Sequence, residues 1–243
     1  MNLSKIIRYE LKRLIFNKIF FALLIVTLIY SYFKLSWDIV IGVAYSAPFS
    51  RWSYGAYLAG VLPLLLTALL FFITYLYSNH EKQVKQLTLA TPADPVKYAA
   101  TKCLAIIIGY IIISLLVIAT SLIFYAVLFK YYNFGAFIIP ILLTLIPGLL
   151  FIMGAGLLLG SVKSNLLYVL IVLVIIISFV PLPPYADLYG GHLYSTYPLK
   201  LPVGPDGEPI FKLPLEFILN RIVFSVTGAV MILFGIKRYA LHR

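Results

Sequence analysis

Residues 103–129 read CLAIIIGYIIISLLVIATSLIFYAVLF, 27 positions in a row without one charged side chain. A helix needs about 20 apolar residues to cross the hydrocarbon core of a bilayer, and only a structure that satisfies its own backbone can reside there. This stretch therefore predicts a membrane-spanning helix. Working outward, further apolar runs lie at Ile19 to Phe33, Tyr54 to Tyr77, Phe134 to Leu159, Leu166 to Leu182 and Phe217 to Ile236. Six spans filling residues 19–236 give an all-α membrane protein. The composition agrees, with 63% hydrophobic and 11% charged residues and a mean hydropathy of +1.03. So few charges cannot cover a water-soluble domain of this size, and six spans leave no room for a soluble catalytic domain.

The excess of positive charge is sorted by side. With six crossings both termini share a face, and thirteen of the 19 Lys and Arg fall on it, against five on the other and Arg221 within the last span. The acidic residues run the other way, with Glu10, Glu81 and Asp94 on the terminal face and five on the opposite one. By the positive-inside rule both termini are cytoplasmic. The net charge of +11 is thus explained by topology, and nucleic acid is not expected as a partner.

Residues 1–18 precede the first span. Leu3, Ile6, Ile7, Leu11, Leu14 and Ile15 share one helical face, with Lys5, Arg8 and Lys12 opposite. This predicts an amphipathic elbow helix in the inner interface, and the spread of its apolar residues, with no small-residue cleavage site, argues against a signal peptide. Glu10 interrupts the apolar face. It is read either as a local ion pair with Arg13, one turn on, or as a contact to a cytoplasmic partner.

Catalytic and energy-coupling chemistry is not visible within the spans. Intramembrane ionisable residues mark proton relays and catalytic sites, and here Arg221 is the clear case, about one turn into the last helix, with Glu216 at that helix's boundary. Arg221 either snorkels to the outer headgroups or lines a cavity and meets an acidic group of a substrate. The glycines Gly154, Gly156 and Gly160 have no following lysine and lie in an apolar span, so they read as close helix packing and not as a phosphate loop. Pro63, Pro140 and Pro147 fall inside spans. One cysteine, Cys103, and three scattered histidines offer neither a disulfide framework nor metal-ligand spacing. No catalytic residue, cofactor or metal site is expected, and any active transport takes its energy from another polypeptide.

One cytoplasmic connection is long, residues 78–102, SNHEKQVKQLTLATPADPVKYAATK. Glu81 to Ala90 are good helix formers, with Val84, Leu87 and Thr88 on one face, and Pro92 and Pro95 end the run. Such a short amphipathic helix could anchor at the interface or take a push from a soluble partner. Its pattern is a glutamate (Glu81), two leucines (Leu87 and Leu89), Thr91-Pro92, and a lysine ten residues after that proline (Lys102). This resembles the first cytoplasmic loop of ABC-2 type transporter permeases. The opening YELKRLIFNKIF resembles that family's elbow helix, and the short second inner loop SVKSN fits as well. Gln83 and Val84 stand where the family commonly has Gly-Thr, and Thr101 where it has glycine before the lysine. The resemblance implies a permease without its own nucleotide site, paired with a second permease copy, identical or related. It further implies docking of a separate ABC ATPase subunit through Glu81, Val84, Leu87, Leu89, Thr91, Pro92 and Lys102, and export across a bacterial cell membrane.

The last outer connection, residues 183–216, carries seven prolines and Tyr185, Tyr189, Tyr194 and Tyr197. It is read as aromatic anchoring at the headgroups or as a lid over an exit, which makes Tyr189, Arg221 and Glu216 candidate path or gate residues. Trp37, Tyr45, Trp52 and Tyr54 of the first outer loop read as part of the same aromatic belt. Apolar walls with Ser, Thr and Tyr as polar groups point to an amphipathic or hydrophobic cargo such as a peptide, antibiotic or lipid-like compound, with membrane lipid around the chain. A different class of reading is a non-transporting sensor or immunity protein that binds a partner through the same loop. Residues 237–243 form a short cytoplasmic tail.

Overall fold

A computed structural model of the chain describes residues 3–78, 81, 83, 94–183, 186–205 and 207–241. Within these residues the regular structure is helical, apart from two isolated bridges, Val43 with Ser46 and Val203 with Pro209. Helix α1 is Leu3–Ile15 and α2 is Lys18–Phe33. Asn17 separates them, its side chain accepting a hydrogen bond from the Ile19 amide at 3.0 Å and so capping α2. A π-helical stretch, Lys34–Ile39, extends α2. Helix α3, Arg51–Leu76, starts at Ser50, whose hydroxyl accepts from the Ser53 amide at 3.1 Å.

Helix α4, Pro95–Phe129, begins where Asp94 accepts from the amides of Val96 and Lys97 and Pro95 occupies the first turn, a position that needs no N–H. It ends at Lys130 in the left-handed conformation, φ 52°. A 3-10 turn, Phe134–Phe137, leads into α5, Ile138–Val162, followed by α6, Asn165–Ile177. The short α7, Gly191–Thr196, runs into a 3-10 turn at Tyr197–Lys200, and α8 is Leu215–Leu241.

Among the described residues five helical stretches are long and apolar enough to cross a membrane: Lys18–Ile39, Arg51–Leu76, Pro95–Phe129, Phe134–Val162 and Leu215–Ala240. They mark the chain as a membrane protein. The sixth expected span departs from the sequence expectation of Leu166 to Leu182. Its helix, α6, has 13 residues, about 20 Å at 1.5 Å per residue, short of a hydrocarbon core of about 30 Å. Ser178, Phe179 and Val180 close tight turns onto Ile175, Ile176 and Ile177, and Pro181 and Pro183 follow, which cannot extend a helix.

Helix α3 is the centre of the bundle, with 78% of its most apolar window buried against 22% for the windows of α2 and α8. Lipid tails are as apolar as leucine, so helix association here rests on close packing. Glycine makes the closest approach. A Cβ at Gly228 of α8 would lie 2.4 Å from the carbonyl carbon of Leu150 in α5, and one at Gly154 would lie 2.7 Å from the carbonyl oxygen of Gly228. Gly156 faces Leu70 and Ile73 of α3, and Gly160 faces the Tyr77 ring. The three glycines of the fourth apolar run thus serve helix packing, as their sequence context predicts.

The termini lie at one end of the bundle, where Tyr239 of α8 meets Tyr77 edge-on at 5.6 Å and the Tyr77 hydroxyl donates to the Leu157 carbonyl at 2.7 Å. At the opposite end the connections pack into the protein. The Trp52 indole donates to the Pro209 carbonyl at 3.2 Å and packs on Phe211, while the Ala47 amide donates to Glu208 at 3.2 Å. Tyr54 stacks on Phe137 at 3.9 Å. The aromatic belt expected from sequence is corrected accordingly: Trp52, Tyr54, Tyr189 and Tyr194 are buried, and Trp37 and Tyr45 are exposed. Buried partners contributed by distant segments outweigh the interfacial preference of these rings.

Candidate functional site

At the terminal end, α1 lies along the first turns of α4, close enough that a Cβ at Gly109 would touch Leu14 at 2.7 Å. This places Glu10 and Arg13 of α1 opposite Tyr98 and Lys102, which share one face of α4 four residues apart. Glu81 completes the group from the segment after α3, where its amide donates to the Ser78 hydroxyl at 3.3 Å. The Arg13 guanidinium reaches both acids, Glu10 at 3.2 Å and Glu81 at 2.7 Å. Lys102 does the same, with Glu10 at 3.3 Å and in direct contact with Glu81. The Tyr98 hydroxyl donates to Glu81 at 3.3 Å, and the Lys102 ammonium sits 4.7 Å from the centre of the Tyr98 ring.

Two acids and two bases balance. Glu81 is 1% exposed and Lys102 2%, a burial that costs several kcal/mol per ion and is sustained only by pairing of this completeness. The cluster ties three parts of the chain together: the amphipathic first helix, the root of the 78–102 segment and the base of the longest helix. Its arrangement suits mechanical coupling, since a displacement of residue 81 pulls directly on α1 and α4.

The structure brings together two of the residues singled out by sequence, Glu81 and Lys102, and turns both inward. Val84, Leu87, Leu89, Thr91 and Pro92, with most of the helix expected at 81–90, lie outside the described residues. The local pair of Glu10 with Arg13 is present, but sequence reasoning missed that Glu10 also meets Lys102. A signal was available, since Glu10 and Glu81 are two of three acids on a face with thirteen bases.

The candidate residues of the opposite end separate into two places. Arg221 does not snorkel. It is 2% exposed, its guanidinium lies 4.3 Å over the Phe217 ring, and Nη1 donates to the Leu188 carbonyl. Gly190, at φ +83°, makes room for it, since a Cβ there would stand 2.6 Å from Nη2. Arg221 Nε and Nη2 and Asp187 Oδ2 are buried without a hydrogen-bond partner among the described residues. Tyr189 belongs to the same turn. Its hydroxyl donates to the Val174 carbonyl at 2.7 Å and ties the connection to α6. Burial, with Asp187 beside it, pushes the Tyr189 phenol up, so it stays a neutral donor. Glu216 is exposed in the first turn of α8, and no ion pair joins it to Arg221 among the described residues.

Compared with known proteins, the chain matches no family model, no curated protein and no solved structure.

Proposed function

We propose that the chain is the membrane-spanning permease subunit of an ATP-driven exporter of the ABC-2 type. In this reading both termini are cytoplasmic, α1 is the interfacial elbow, and the 78–102 segment docks a separate ATPase. The spans, with those of a second copy, form the path for an amphipathic or hydrophobic cargo in a bacterial cell membrane. The observation that carries the reading is the buried cluster around Glu81. The root of the one long charged connection, at Glu81, is ion-paired to two membrane-associated helices at once, so a force that reaches residue 81 is passed to both α1 and α4. Glu81 then acts as a positioning residue within the permease, and contact with the ATPase falls to residues further along, Val84, Leu87, Leu89, Thr91 and Pro92.

The test is purification of the tagged chain from its native host in a gentle detergent, with mass spectrometry of what remains bound. A stoichiometric ATP-binding subunit is expected, lost in a Leu87→Asp, Leu89→Asp chain, with ATP hydrolysis stimulated by cargo. An intact, monodisperse chain that carries no ATPase would overturn the proposal and favour the sensor or immunity reading of the same segment.

A further inference from the structure

A cleft of about 700 Å³ opens between α2, α3, the end of α6 and the connection that carries α7. Its lining is graded along its length. On α2 and the first residue of its π-helical extension the residues are Val26, Tyr30 and Lys34, spaced four apart and so on one face, which spreads them over about 12 Å from apolar to charged. Facing them on α3 are small residues, Ala56, Ala59 and Gly60, which leave the space unfilled. The Lys34 stem crosses α3 at Gly60, where a Cβ would lie 2.6 Å from its Cε. The connection after α6 adds the polar residues Asp187, His192 and Ser195 to the lining.

Asp187 marks what these polar residues would recognise. One carboxylate oxygen is used within the fold, accepting from the amides of Tyr189 at 3.0 Å and Gly190 at 2.7 Å. The other is buried and has no hydrogen-bond partner among the described residues, in a residue only 5% exposed. A buried carboxylate oxygen left unpaired is costly, and a donor from a ligand would complete it. Lys34, ion-paired with Asp38, retains two further N–H donors for an anion. Arg221 is the other charge near Asp187 and interacts with it electrostatically, but among the described residues no hydrogen bond joins Asp187 Oδ2 to the Arg221 guanidinium.

We propose that this cleft binds a lipid-like amphiphile with a zwitterionic headgroup, its primary amine donating to Asp187, its phosphate or carboxylate near Lys34, and its chain along Val26, Pro63 and Leu64. That such a molecule is also the cargo rests on the exporter reading above. The binding itself does not, and its test needs neither ATP nor a partner.

The full chain in detergent is photo-crosslinked to acyl-chain diazirine probes of phosphatidylethanolamine, phosphatidylcholine and phosphatidylglycerol, and the labelled peptides are mapped. Preferential labelling of residues 175–195 and of α2 by the ethanolamine lipid is expected, because choline has no N–H to donate and glycerol no cation. Asp187→Asn keeps the oxygen that holds the turn and removes the charge, and should lower that labelling at least fivefold. Ser195→Trp, at the exposed rim, should lower it as well while leaving the Asp187 turn intact, and it decides the matter should the asparagine variant fail to fold. Equal labelling by the three lipids, or labelling unchanged in Ser195→Trp, would overturn the proposal and leave the exporter reading untouched. Unchanged labelling in a folded Asp187→Asn chain would assign the free oxygen to Arg221 through water and equally overturn it.

Discussion

Lys102 holds two carboxylates that would otherwise share Arg13 alone. In Lys102→Met, Glu10 and Glu81 become two buried acids with one cation between them, and breaking a buried pair in this way costs about 3–5 kcal/mol. Chemical unfolding in mild detergent should register that loss. The paired change Glu81→Gln, Lys102→Met removes both charges and leaves Glu10 with Arg13, so it should recover a large part of the stability. The resulting non-additivity measures the coupling. Equal loss in the single and double variants would mean that the side chains matter by shape and not by charge. The same residues show where sequence reading stops. Glu81 and Lys102 were recognisable as a pair of motif positions, but a linear motif cannot say whether a side chain faces a partner or its own fold. That was decided by α1, 68 residues away from Glu81 through Arg13. Arg221 is similar, because its acceptor is a backbone carbonyl 33 positions earlier, a partner with no signature in side-chain chemistry.

Among the elements, the long helices were legible because an uninterrupted apolar run of 20 residues has few other fates. The end of α6 was less so. Pro181 and Pro183 were visible as breakers, but hydropathy alone carries the run through Leu182, and the turns at 178–180 depend on backbone geometry. The connection after α6 was the least legible, since prolines and tyrosines at a span boundary suit either headgroups or a protein core. Here the core wins through Tyr194, 0% exposed, whose ring lies over Gly55 of α3 and whose hydroxyl is 3.3 Å from that of Thr144. A Cβ at Gly55 would fall 2.4 Å from the Tyr194 ring. Gly55→Leu should therefore expel α7 without disturbing the long helices. Amide exchange across residues 186–205 is expected to rise at least tenfold while α5 and α8 stay protected. Unchanged exchange would show that α7 is held by Trp52 and Phe217 instead.

At the scale of the molecule, the sorting of basic residues predicts orientation. In a chain with Cys103 replaced by alanine, single cysteines at Lys163 and Lys200, both exposed, should report from opposite sides. A membrane-impermeant maleimide added to intact cells is expected to label Lys200→Cys and to reach Lys163→Cys after lysis alone. The reverse pattern would invert the topology, and labelling of both from outside would remove α6 as a crossing.

The glycine contacts between α5 and α8 bear on motion. Where side chains separate two helices, rotamer changes let one slide past the other; where backbones nearly touch, there is nothing to rearrange. Gly154, Gly228 and Gly235, the last with Leu157 against it, fasten these helices into a single plank along much of their length. Helix α2, largely open to lipid, and the short α6 carry no such fastening to one another. An opening of the molecule is then expected to spare the plank and to fall on α2 and α6, which wall the graded cleft together with α3 and the connection that carries α7.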